Sequence, residues 1–208
     1  MYRSWKVAVP MAIVIVWGSS VYSAEHAFML PDEDTVEIML LRQKSVRDEL
    51  KVGKDLADRI DQYAAAQWKK AQDVVELGEK EQQTKFDAMA KENQQFLEKT
   101  LSKVQRDRLE QITLQVAGLL YVTRHNVAAK LKLTADQKQR AKQLQQEARA
   151  ELERLIEAEN SKERHKELAK LWQTNHDRIM DLLTDAQELT WKEMTGAPFK
   201  GDFTYASN

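Results

Sequence analysis

The chain contains no cysteine among its 208 residues. That excludes disulfides, thiol catalysis, cysteine-bound zinc and a lipid-modified N-terminal cysteine. Glycine and proline are scarce, with 6 and 3 residues. The glycines are scattered, so no Gly-rich phosphate loop exists, and few breakers stand in the way of long helices. Neither sign of charge dominates: 32 basic residues face 33 acidic ones, a net charge of −1. No basic excess points to nucleic acid as a partner. Long apolar runs are absent too. The one notable stretch, Val7 to Trp17, has eleven residues, short of the roughly 20 that a membrane-spanning helix needs.

What is abundant is Ala, Glu, Lys, Leu and Gln, with 31% of residues charged. Such a composition describes long helices with a surface laced by salt bridges. Residues 1–24 read as a secretory signal. Arg3 and Lys6 form a positive start, Val7 to Trp17 the apolar middle, and Gly18 to Ala24 the small residues of a cleavage site, after Ser23 or Ala24. The alternative is an uncleaved N-terminal anchor. In either case the rest of the chain faces the exported side, and a periplasmic location is expected. Removing residues 1–24 takes away two bases and no acid, which leaves 30 bases against 33 acids and a net charge of −3.

Apolar periodicity predicts an all-α fold. A first helix spans about 35–50, with Val36, Met39, Leu40, Val46 and Leu50 buried. A second runs from about Lys54 to Lys99, carrying Leu56, Ile60, Tyr63, Ala64, Ala71, Val74 and Leu77, then Phe86, Met89, Phe96 and Leu97. Gly78 is where it should bend or break. A third begins at Ser102, with Gly118 loosening it, and a turn near 123–126 leads into a short helical piece to Leu131. A fourth runs from Thr134 to about Leu182, and a last from Asp185 to Met194, stopped by Gly196 and Pro198. Residues 195–208 read as a loose tail.

The helix starts share a pattern. In Leu133-Thr134-Ala135-Asp136-Gln137, Thr134 and Gln137 stand at capping-box spacing. The Thr hydroxyl accepts from the Gln137 N–H, and the Gln side chain reaches back to the Thr134 N–H. Leu183-Thr184-Asp185-Ala186-Gln187 repeats it, and Leu101-Ser102-Lys103-Val104-Gln105 repeats it with Ser as the cap. A decayed copy after Leu50-Lys51-Val52 has Gly53 at the cap and Leu56 in place of Gln. Gly is an acceptable N-cap, so the start survives while the box does not.

These motifs resemble the LTxxQ-motif family of bacterial envelope proteins, the Spy/CpxP-like group. The stretch Trp191 to Phe199 also resembles tails of duplicated members of that group. The resemblance implies an exported chaperone-like or stress-sensing binding protein, not an enzyme. It also implies a homodimeric unit, which a duplicated chain could supply by itself, and it brings in a metal-responsive branch.

The two halves match at a fixed offset. At 81 residues, Val46 meets Val127, Leu50 meets Leu131, Lys51 meets Lys132 and Val74 meets Leu155. At 82, Phe86 meets Leu168, Met89 meets Leu171, Asn93 meets Asn175, Leu97 meets Ile179, Gln105 meets Gln187 and Leu109 meets Trp191. The expected architecture is therefore an elongated bundle of two long helices and three shorter ones, built from a duplicated unit. Repeat one covers about 35–112 and repeat two about 116–194, in a helical domain spanning 25–194.

Sites for chemistry are hard to find. Carboxylates sit in solvated runs such as Glu76 to Glu81, with none paired against an apolar wall. Of the four histidines, His165 and His176 share a helix face but would lie about 16 Å apart along it, too far for one ion. His125 lies in a turn and His26 near the mature N-terminus. No catalytic residue, cofactor, metal site or small-molecule substrate is therefore assigned. Met39 and Met89 align with Leu120 and Leu171 and read as core. Trp68 aligns with Arg149, so no core position demands it; it reads either as a partly buried packing residue or as part of an exposed apolar strip for client contact.

Three functions follow as expectations. The first is a holdase or envelope-stress adaptor binding unfolded or stressed envelope proteins. The second is an oligomerising envelope scaffold, and the third a metal-responsive regulator partner.

Overall fold

The computed structural model describes residues 35–75, 77–157 and 161–201. Within them the chain is all α, with no strand. The expected signal segment lies outside the described residues. No described helix is long and apolar enough to cross a membrane.

Nine helices are described: α1 (Thr35–Leu41), α2 (Lys44–Glu49), α3 (Lys54–Val75), α4 (Glu79–Thr100), α5 (Lys103–Tyr121), α6 (His125–Lys130), α7 (Ala135–Glu157), α8 (Ser161–Leu182) and α9 (Asp185–Thr195). This corrects the expectation of two long helices and three shorter ones. The first helix divides at Gln43, whose backbone is extended. The second divides at Gly78, also extended, and α3 and α4 pack against each other as a hairpin. The fourth divides between α7 and α8, which likewise pack together. An unbroken helix would leave its apolar stripe bare. Folding it in two brings Ala148 of α7 and Leu171 and Ile179 of α8 to one recess against α5.

The helix junctions repeat in geometry. After α2, the N–H of Lys51 donates to Asp48 O and that of Val52 to Arg47 O. After α6, Lys132 donates to Ala129 O and Leu133 to Ala128 O. Both are Schellman turns, and each puts a lysine in the left-handed region at φ 53°, a position that glycine usually fills. The buried Leu50 and Leu131 precede them.

One core cluster runs through both halves. It includes Leu40, Leu41, Val46, Ile60, Leu109 and Ile112 from the first, and Val122, Val127, Leu131, Ala148 and Trp191 from the second. Helix α5 lies at its centre, packing on α1, α4, α7, α8 and α9. It kinks at Ala117 (φ −120°, ψ 23°), beside Gly118. A methyl group at Gly118 would sit 2.7 Å from the Trp191 ring, so the crossing of α9 requires a residue without a side chain there. The Gln145 side chain donates to the carbonyls of Leu119 and Leu120 at 2.8 and 3.3 Å, satisfying groups at the end of α5.

The tail expectation is corrected for residues 196–201. α9 ends at Gly196 with φ 64°, and the following segment packs on α5 with Phe199 buried. Residues 202–208 lie outside the described residues.

Candidate functional site

The three capping boxes form as their spacing requires. Gln105, Gln137 and Gln187 donate their backbone N–H to Ser102, Thr134 and Thr184 hydroxyls at 3.3, 3.1 and 3.4 Å. Their Oε1 atoms accept from the cap residues' own N–H groups at 2.9, 3.0 and 3.0 Å.

Each glutamine has a second task that local sequence does not reveal. Gln105 Nε2 donates to Leu50 O at 2.9 Å, tying the start of α5 to the end of α2. Gln187 Nε2 donates to Leu131 O at 3.0 Å, tying α9 to α6. Gln137 Nε2 donates to Leu182 O at 2.9 Å, tying α7 to α8. Gln137 and Gln187 also pair with each other, amide to amide, at 2.7 and 3.0 Å. These carbonyls close helices and have no partner within them. A Glu would complete the box equally well but could not donate across. The presence of Gln rather than Glu in all three boxes was the available signal. At the decayed fourth copy Leu56 has no amide, and Arg106 takes over the end of α4 by donating to Leu101 O and Glu98 O.

Trp68 lies on α3, 39% exposed. Among the described residues the other large exposed apolar side chains are Val104 and Leu189. The α3–α4 hairpin is closed by a polar and aromatic seam that the sequence did not disclose. Tyr63 donates its hydroxyl to the buried Asn93 at 2.9 Å. Gln67 Nε2 lies 2.9 Å from the Tyr63 hydroxyl and 2.8 Å from Glu92. The Tyr63 and Phe96 rings stack, with centroids 3.8 Å apart. Burial pushes the Tyr63 phenol up to about 12, with the Glu92 charge adding to the rise. Hydrogen bonds from Lys70 and Gln67 hold the Glu92 carboxyl below its usual range.

The second hairpin uses different chemistry at aligned positions. Asn175, aligned with Asn93, accepts from Arg178 at 3.0 Å, and Arg178 is held by Glu151 at 2.9 and 3.1 Å. Tyr63 aligns with Leu144, Phe96 with Arg178 and Trp68 with the exposed Arg149. The first hairpin thus carries aromatic rings at three positions where the second carries Leu and Arg.

His125 is exposed and His176 half-buried, the latter at the recess beside Gly118 and Asn175. His26 and the side chain of His165 lie outside the described residues. No group of three potential metal-ligating side chains converges among the described residues. Comparison with protein-family models, with characterised proteins and with solved structures gives no match.

Proposed function

We propose that this chain is an exported, non-catalytic helical binding protein of the LTxxQ type that holds unfolded or stressed envelope proteins. The observation that carries this reading is Trp68, a large apolar side chain 39% exposed where the aligned position of the other half carries the charged Arg149. Core packing does not call for a tryptophan there, and an exposed aromatic within charged surroundings suits weak contact with apolar segments. Apolar side chains touch the client while the Lys and Glu rim keeps both soluble. We further propose that the chain is a duplicated unit whose two copies share α5, a reading supported by the paired lysine turns and by the three boxes. A duplicated chain supplies both halves of the dimer that the resemblance implies.

Aggregation suppression tests the function. The chain from Glu25 onward, added to an aggregating client, is expected to suppress light scattering near equimolar ratio. The Trp68→Glu variant, folded by circular dichroism, should lose that effect. Undiminished scattering at several-fold excess of the unmodified chain would reject the holdase reading and leave the scaffold.

A further inference from the structure

The segment after α9 is bound to α5 in the way an extended peptide is bound by a receptor. It has neither helix nor strand, and side chains of α5 take up its backbone. Gln115 Nε2 donates to Thr195 O at 2.6 Å and to Ala197 O at 3.0 Å, while its Oε1 accepts from the Phe199 N–H at 2.7 Å. Arg108 donates to Ala197 O at 2.8 Å. Arg108 is itself aimed by Glu49, at 2.8 Å, and by Gln111, at 2.9 Å. Pro198 brings no N–H to satisfy and holds the chain extended. The Phe199 ring is 3% exposed and joins the core cluster, while Ala197, Pro198 and Lys200 face solvent. Recognition therefore rests on backbone groups plus one aromatic side chain, the division of labour seen when extended peptides are captured.

We infer that this groove on α5 is a docking site for extended polypeptide carrying an aromatic side chain, and that residues 196–201 are its resting occupant. A segment of an unfolded client exchanges with them. The inference rests on the client-binding reading and gives it a second contact region, apart from Trp68. Because the occupant is tethered, it competes at a high effective concentration. A free peptide therefore reaches the groove only in large excess, whereas a client that also engages elsewhere reaches it at lower concentration. One aromatic position is the sole side-chain requirement, which suits a protein that must accept many unfolded sequences.

The test uses the full chain and a fluorescent peptide Gly-Ala-Pro-Phe-Lys-Gly. The Phe199→Ala variant should bind it at least tenfold more tightly than the unmodified chain. The same peptide with Ala for Phe should not bind, and adding Gln115→Ala should weaken binding at least tenfold. Equal affinity of the unmodified and Phe199→Ala chains, or equal binding of the peptide lacking Phe, would overturn the proposal. Should Phe199→Ala fail to fold, the unmodified chain decides. Excess peptide is expected to speed amide hydrogen exchange of Phe199 at least tenfold, and unchanged exchange would overturn the proposal. Aggregation suppression without peptide exchange would reject this groove and leave the client-binding reading standing. Peptide exchange without suppression would do the reverse.

Discussion

At the scale of single residues, the box glutamines carry the most structural consequence. Thr134→Ala removes one cap and should cost roughly 1 kcal/mol. Gln187→Glu keeps the box but replaces a donor with a charge facing the Leu131 carbonyl, which Gln187 now satisfies at 3.0 Å. It should cost about 1–3 kcal/mol, as for a buried acceptor left unmet. Denaturant midpoints of both variants decide the matter, and a Gln187→Glu loss no larger than that of Thr134→Ala would show the cross-helix bond to be idle. The two backbone bonds of each box were legible in the sequence because they close over three residues. The cross-helix bonds were not, since Gln105 and Leu50 are 55 residues apart and Gln137 and Leu182 are 45 apart. Phe199 was misjudged for the same reason: its partner Gln115 lies 84 residues away, and Gly196 and Pro198 signal only that the helix stops.

At the scale of elements, the two hairpins show which breaks a sequence can disclose. Gly78 is the extended N-cap of α4, a residue acceptable at a helix start and poor inside one. Between α7 and α8 the signal is weaker: Asn160, a residue type favoured at helix starts, directly precedes Ser161 at the head of α8, inside a charged span otherwise made of good helix formers. The seam of the first hairpin predicts a pH effect. The Tyr63 phenol is raised from 10.0 to about 12, so its contribution is complete below pH 10, where the unfolded chain's tyrosine is also neutral. It is lost as pH climbs through 10 to about 12, because the unfolded chain then gives up the proton more readily. Tyr63→Phe should remove that part of the alkaline decline. Urea midpoints of the two proteins from pH 9 to 12 test this, and parallel curves would contradict it.

At the scale of the whole molecule, the single core cluster crosses from one half of the chain to the other, and α5 packs on elements of both. Thermal unfolding should accordingly be one cooperative transition, with calorimetric and van't Hoff enthalpies equal. Two resolved transitions would show the halves to be independent. The all-α class was legible because apolar periodicity is a property of the string. The centrality of α5 was not, because it depends on which stripes meet.

The contact of α1 with the far side of α5 also governs the order in which the chain can be completed. Tyr121 and Arg124 meet Glu37 at separations of 84 and 87 residues. A chain made from its N-terminus produces the α3–α4 hairpin, with its partners 25–30 residues apart, well before α5 exists. The hairpin can therefore close while α1 still waits for its place. α1 also contacts α3 and α4, but it is fully seated only when residues 121–124 emerge, so part of its apolar face stays open to chaperones until α5 is complete.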